Sequence, residues 1–576
     1  MSHPGAAPSA PEAALAPAPR VLVLGDDTRS FLAIVRSLGR AGFDVHAAPF
    51  DFASPALASR YVGTVHRVPP YSLGAQGWIE ALRRVIAGEG IDLVIPCDDR
   101  TLLPLDRHAE AFAPARLAVP NREAMAAFFD KAETRRLAQE EGVPVAGGRL
   151  LRPGEDAEAL AARFGLPLAL KPRASYTLGQ AGAKSSVRIV RSRAALAGAL
   201  ARIERPDEWL VESFFPGVGI GVSVLADAGC VLAAFQHRRL REANETGGSS
   251  DRLSEPLDPR LLAAVEALAR RVALSGVAMF EFRVDRSSGA FVLLEVNARF
   301  WGSLPLAVAA GSDFPADLAR LLVAGVRPQE RQYREGQRAR DLGGEYYRIL
   351  KESEGYGGLR RLRALAGGLS GLAFAASRGR GIDTFAPDDP APWRAERALL
   401  LGRLSGAVAK RIPLLARRRP RAERAIASLK AALARGPARV TILCHGNICR
   451  SPFAAALLER KGLRLEIASA GTIPLEGRAA PPDAVAAARS FGVDLEVHRS
   501  RWLSAAAAAG SEAVLVFDET NVEEVKRLGI AANLLRLGDL IGLAAIDDPY
   551  GRGPEAFADC YRQIERAVDR LAERLR

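Results

Sequence analysis

Cys444-His445-Gly446-Asn447-Ile448-Cys449-Arg450-Ser451 follows the apolar run Val440 to Leu443 and sets a thiol, a turn and an arginine around one point. Six backbone N–H groups from His445 to Arg450 can wrap a phosphate dianion as a nest. Gly446 and Asn447 are residue types that tolerate the left-handed backbone such a wrap requires. The segment Ser451 to Lys461 reads as a helix whose positive N-terminal end points at the same anion. These features stabilise the Cys444 thiolate, the form that attacks phosphorus. The planar fork of Arg450 can hold two phosphate oxygens.

A second set of chemically able residues is scattered through the first 300. Lys131 follows Asp130 at the start of a helical pattern, and Lys171 ends the apolar run Leu166 to Leu170 before a glycine-rich loop, 174–186, that contains Gly179 and Gly182. Only eight lysines occur in the chain, and one that closes a buried strand before such a loop is placed for phosphate. Phe280 to Asp285 and Phe291 to Asn297, joined by the turn Arg286 to Gly289, read as a hairpin. Its alternation puts Glu281, Glu295 and Asn297 on one face, a hard oxygen donor set suited to Mg²⁺.

The elements that must position these residues follow from pattern. Arg20 to Gly25, Phe43 to His46 and Asp92 to Pro96 are strands alternating with helices near 29–42 and 78–87, which predicts a parallel α/β unit. Gly25 opens no dinucleotide-type glycine signature. Asp26, Asp27, Asp98 and Asp99 lie at strand C-termini, where such sheets bind ligands and where helix caps also sit. Trp209 to Gly217 is a strand entering a turn, and the sequence predicts a mobile loop at Arg238-Arg239-Leu240-Arg241-Glu242 with Thr246 to Ser250, suited to a carboxylate substrate or serving as a solvated lid. Residues 331–437 carry little signal beyond a Pro/Asp turn cluster at 385–392 and the Arg-rich segment Lys410 to Arg435, read as a solvated linker helix or a contact for an anionic partner.

A chain of 576 residues requires several cores. Five scattered cysteines argue against a disulfide framework and for a reducing, cytoplasmic setting. The first 19 residues are Ala/Pro-rich, lack a basic start and a continuous apolar stretch, and are expected to be a disordered tail. No apolar run reaches the roughly 18 residues of a membrane span. The net charge of +13 is carried by arginine spread along the chain, without aromatic-interleaved basic motifs, so no nucleic-acid partner is expected.

Lys131, Lys171 with its loop, Glu212 and the hairpin Glu281…Glu295-Val296-Asn297-Ala298-Arg299 resemble the ATP-grasp superfamily, similar to biotin carboxylase and the carbamoyl phosphate synthase large chain. The resemblance covers about residues 20–330, including the preceding α/β unit. It implies ATP phosphates on Lys131 and Lys171, an adenine pocket at Glu212, Ser213 and Phe215, Mg²⁺ (or Mn²⁺) on Glu281, Glu295 and Asn297, and Arg299 near the transferred phosphate. The implied reaction activates a carboxylate as an acyl phosphate, which an amine or another nucleophile then attacks. Where many relatives carry an acidic residue, this chain has Val218-Gly219-Ile220-Gly221.

From Val440 onward the chain resembles low-molecular-weight protein tyrosine phosphatases, with Ser469-Ala470-Gly471-Thr472, Leu515 to Asn521 and Asp548-Pro549-Tyr550 in the family's order. Phosphocysteine chemistry needs an acid for the leaving oxygen and then a base for water. Asp548 matches that role, with Asp547 as the competing, structural neighbour. The resemblance implies that Asn447 shapes the loop, Ser451 stabilises the thiolate and His498 braces Asn447, without a cofactor. Cys449 is placed to form a reversible disulfide with Cys444, which mass mapping after peroxide would detect. No cysteine lies between Cys449 and Cys560, which ranks arsenate reduction below ester hydrolysis. Leu475 stands where many members have Trp, while Tyr550 keeps an aromatic wall, so phosphotyrosine preference is open.

The expected architecture is α/β and α+β: a disordered tail (1–19), a parallel α/β unit (20–120), an ATP-grasp region (121–330), a helical appendage and basic linker (331–437), and a phosphatase domain with a central parallel sheet (438–576). The expected function is bifunctional, ATP- and Mg-dependent carboxylate ligation plus phosphomonoester hydrolysis. Its partners would be a small carboxylate, an amine or other nucleophile, and a phosphoprotein or small phosphoester. The alternatives are a phosphatase whose ATP-grasp region only senses nucleotide, and an arsenate-reductase-like C-terminal domain.

Overall fold

The computed structural model describes residues 18–576 apart from 26–27, 53, 72–74, 177–186, 245–246, 330, 355–359, 361–362, 364–366, 369, 371–380, 410–418, 474–475, 504–507, 509, 531–532, 544 and 551–552. The expectations for the tail, for Asp26 and Asp27, for the loop with Gly179 and Gly182, for Thr246, for Leu475 and for the start of the basic segment fall wholly or partly outside the described residues.

The first sheet is parallel and five-stranded. β1 (Arg20–Leu24) lies at its centre between β2 (Asp44–Ala48) and β4 (Leu93–Pro96), with β3 (Thr64–Val65) and β5 (Arg116–Leu117) at the edges. Helices Thr28–Arg40 and Ala75–Glu89 complete the crossovers, which explains why Val21 to Leu24 are apolar and buried.

Two antiparallel sheets follow. One has the order β6 (Gly148–Leu150), β9 (Trp209–Ser213), β7 (Leu168–Pro172), β8 (Arg188–Val190). The other runs β14 (Phe291–Asn297), β13 (Gly276–Val284), β10 (Val218–Asp227), β11 (Cys230–Asn244), β12 (Gly247–Ser254), β15 (Arg338–Arg340). The segment expected as a loop at 238–250 is therefore mostly two long paired strands. Arg238 bonds Glu255, Arg239 bonds Glu281 and Arg241 meets Glu345, so charges that suggested a solvated lid are taken up by neighbouring strands and a helix. The edge strand at 338–340 also lies beyond the expected boundary at 330.

The appendage docks on the first unit through charge. Arg36, 4% exposed, donates to Asp389 Oδ2 at 2.9 Å, and Ser59 donates to the same oxygen at 2.6 Å. Arg40 and Tyr61 hold Asp388.

The fourth sheet is parallel, in the order β17 (Leu465–Gly471), β16 (Ala438–Cys444), β18 (Ala513–Val516), β19 (Leu534–Arg536). Helix Arg419–Arg435, the described part of the basic segment, buries Ala422, Ala425, Ile426, Leu429 and Ala432 in this domain's core. That stripe at helical spacing makes it an amphipathic element of the C-terminal fold rather than a free linker. Among the described residues no helix is long and apolar enough to cross a membrane.

Candidate active sites

β16 ends at Cys444, and helix Arg450–Glu459 begins six residues later, so the intervening backbone must turn tightly around one point. Asn447 takes the left-handed conformation (φ 52°), while Gly446 does not; the expected strain falls on one residue of the two. Asn447 is anchored on every side. Its Nδ2 donates to Ser451 Oγ at 2.9 Å and to Ser469 Oγ at 3.1 Å. Its Oδ1 accepts from Arg501 N at 2.9 Å, and its carbonyl is bonded by His498 Nε2 at 2.7 Å. Burial holds His498 below the ordinary histidine range, so it donates to that carbonyl as a neutral ring. Gly471 has no room for a Cβ, which would stand 3.0 Å from three backbone atoms of residues 445–447; the loop rests directly on the end of β17.

The nucleophile is approached by donors. Asn447 N lies 3.2 Å and Ser451 Oγ 3.0 Å from Cys444 Sγ. Arg450 is 2% exposed; its Nη1 donates to Asp518 Oδ2 and its Nη2 to Asp548 Oδ2, both at 2.7 Å. Burial disfavours its charge, but Cys444, Asp548 and Asp518 outweigh that and raise its pKa. Asp548 thus sits across the loop from the thiol with its side chain 39% exposed, and Tyr550 beside it is 57% exposed. Cys449 is buried and its thiol pushed up by that burial. Its carbonyl accepts from Tyr561, which stacks on Phe453 at 3.8 Å between ring centres.

In the first 300 residues, one cleft is lined by Asp99, Phe128, Lys131, Ser175, Tyr176, Glu295 and Asn297. Asp130 caps the helix that begins at Lys131, and Lys131 Nζ reaches Ser175 Oγ at 2.7 Å and Glu295 at 3.9 Å. Lys171, at the end of β7, pairs with Glu212 on β9 at 2.6 Å, and Arg135 holds the other Glu212 oxygen at 3.2 Å. Ser213 donates to Phe164 O. Arg299 grips Asp99 with two nitrogens (2.7 and 3.1 Å) and donates to Asn297 Oδ1 at 3.0 Å. Of the aspartates at strand ends, Asp98 is a helix cap in a capping box and Asp99 faces the cleft.

Glu281 and Glu295 are direct partners across β13 and β14, and Asn297 Nδ2 lies 3.3 and 3.4 Å from their carboxylates. Two carboxylates and an amide converge there. A half-turn of the amide presents Oδ1 to the same point, so the donor set fits a hard divalent cation. Among the described residues no group of three or more His, Cys, Asp or Glu could hold a metal.

Arg239 was not singled out as a site residue from the sequence. It bonds Glu281 at 2.5 Å from β11, although β10 lies between the two strands. Gly219 and Gly221 make that possible: a Cβ on Gly219 would stand 2.9 Å from Arg239 Cδ, and one on Gly221 would stand 2.2 Å from the His237 ring. The Gly-x-Gly of β10 is thus a trough that side chains of β11 cross. Burial pushes Glu281 up despite Arg239, whereas for Glu295 the attraction of Lys131, Lys171 and Arg239 overcomes burial and holds it down.

The pattern of the family described as "Low molecular weight phosphotyrosine protein phosphatase" matches residues 439–576, and that of "ATP-grasp in the biosynthetic pathway with Ter operon" matches 205–344. The probable low molecular weight protein-tyrosine-phosphatase EpsP of Ralstonia nicotianae is 33% identical over 139 residues, 24% of this chain and 95% of that protein. Wzb of Escherichia coli K12, a low molecular weight protein-tyrosine-phosphatase, is 30% identical over 138 residues, 24% of this chain and 94% of its own. The biotin carboxylase domain of Hydrogenobacter thermophilus 2-oxoglutarate carboxylase aligns over 55% of this chain and 73% of its own, at 18% identity and a TM-score of 0.45. By the sequence matches, residues 439–576 make the chain a member of the low molecular weight protein tyrosine phosphatase family, joined to an ATP-grasp region.

Proposed function

We propose that the chain is a bifunctional enzyme, hydrolysing phosphomonoesters through a phosphocysteine and using ATP to activate a carboxylate. For the first activity the carrying observation is that Asn447 N–H and Ser451 Oγ meet the Cys444 thiol, while the buried Arg450 guanidinium of the same loop is bonded to Asp548. Substrate phosphate takes the guanidinium and the loop N–H groups. Cys444 Sγ attacks phosphorus, the P–O bond to the leaving group breaks, and Asp548 gives its proton to the departing oxygen. Asp548 then takes a proton from water as it attacks the phosphocysteine; the P–S bond breaks and the thiolate returns to Ser451. Hydrolysis of p-nitrophenyl phosphate by the full chain tests this, with Cys444→Ser as the control; equal rates in both proteins would sink the assignment.

For the second activity, support comes from Lys131, Glu295 and Asn297 lining one cleft with Asp99 of the N-terminal unit, which Arg299 holds. Lys131 and Lys171 bind phosphate oxygens, Glu212 to Phe215 flank the base, and Arg299 stands near the phosphoryl group as it is transferred. Mg²⁺ on Glu281, Glu295 and Asn297 would neutralise phosphate charge. The acyl phosphate then meets an amine or other nucleophile. ADP release that requires Mg²⁺ and one carboxylate from a metabolite panel is the test; tight ATP binding without turnover across the panel would favour a nucleotide sensor.

A further inference from the structure

The phosphate loop carries a side chain that the hydrolytic steps above leave unused. His445 follows the nucleophile directly. Cys444, Asn447, Arg450 and Ser451 are all buried, yet the His445 side chain is 54% exposed. Its Nδ1 stands 2.8 Å from Glu524 Oε1. Glu524 is itself buried and fixed by a short bond from Thr472 Oγ1, and Thr472 N in turn donates to the His445 carbonyl at 2.9 Å. A carboxylate that claims Nδ1–H selects which nitrogen is left to face outward, and Nε2 has no partner among the described residues.

The charged groups around the ring come from three elements: Glu524 on helix Glu519–Arg527, Asp548 on the loop before the last helix, and Arg450 on the phosphate loop. The Glu524 hydrogen bond is the largest influence and Asp548 adds to it, while burial and Arg450 oppose; the balance raises the imidazole pKa above its ordinary value. Arg450 is bonded to two carboxylates and lies at the bottom of the site. His445 stands at the rim with Nε2 open.

We propose that His445 is a specificity-determining residue, a second anion subsite that selects phosphomonoesters bearing another carboxylate or phosphate beside the scissile phosphate. Glu524 is its positioning residue. The proposal rests on the phosphatase function of this loop and deepens it by naming the substrate class.

The sign of the pH dependence follows. A folded pKa raised above about 6.5 keeps the imidazolium complete below that pH. The preference for a second anion is then full at pH 6 and falls as pH rises through the raised value. The full chain would be assayed on two pairs: phosphotyrosine peptides with acidic or alanine flanks, and 3-carboxyphenyl phosphate against phenyl phosphate. The kcat/KM ratio within each pair cancels general damage to the site. The wild-type ratio is expected at about three- to fivefold in low salt, the size of one exposed charge pair. It should fall to about one in both His445→Leu and His445→Gln, and Glu524→Gln should move its decline to lower pH. A preference in both pairs supports recognition of any small bis-anion; a preference in the peptides alone supports an acidic phosphoprotein. Ratios near one in the wild type, or ratios untouched by both His445 substitutions, overturn the subsite and leave the hydrolase standing. No hydrolysis of any substrate overturns both.

Discussion

The loop at 444–451 is arranged to meet its anion with backbone N–H groups and a single guanidinium, whereas the cleft around Lys131 and Glu295 is lined by charged side chains that bond one another. In the first, Asn447 is tied from four directions, so the loop has its final shape before substrate arrives. In the second, Lys171 rests on Glu212, Arg239 on Glu281 and Arg299 on Asp99. On the proposed function, each of those pairs would reorganise or stretch as phosphates and a cation enter. The lesson is that a compact anion such as one phosphate suits rigid backbone donors, while a triphosphate with a metal suits separable side-chain pairs whose charges cancel when the cleft is empty.

Five substitutions test that contrast, in descending order of effect. Cys444→Ser should lower p-nitrophenyl phosphate turnover by at least about 10⁴-fold, with Mg²⁺-dependent ADP release unchanged; a parallel loss of both would show that the sites are not separate. Asp548→Ala should cost about 10²- to 10³-fold in kcat. Arg239→Met leaves Glu281 buried without its partner, which should lower stability by about 3 kcal/mol in thermal unfolding. Added Mg²⁺ should recover part of that loss, and failure to recover would argue that Glu281 is not a metal ligand. Gly221→Ala should destabilise by about 1–3 kcal/mol because the His237 ring fills the space, and Gly219→Ala by less, since the Arg239 chain can bend.

How much of this was legible in the sequence depends on distance along the chain. The phosphate loop is contiguous, so residue type and spacing alone describe its chemistry. Glu281, Glu295 and Asn297 come from one hairpin, and period-two alternation places them together. Arg239 could be named within the 238–242 segment but not placed that way: its reach to Glu281 depends on which strand lies between them. The strands β11 and β12 read as a loop because the charges of Arg238 and Arg239 meet carboxylates of the fold, which a run of arginines does not reveal. Helix Arg419–Arg435 hid its apolar stripe behind arginines. Asp389 lies 353 residues from Arg36, and no local pattern marks such a pair.

That last contact has a consequence for where the chain can be divided. A fragment ending at 330 would lack Thr384, Asp388, Asp389 and the strand at 338–340, stripping Arg36 of the partners its guanidinium bonds and leaving the large sheet with an open edge. A fragment beginning at 438 would strip the C-terminal core of the helix that covers it. Autonomous halves would instead meet between 410 and 418, past the helix Ala391–Ala409. A fragment through 409 and one from 419 are the pieces that should each express, fold and remain soluble without the other.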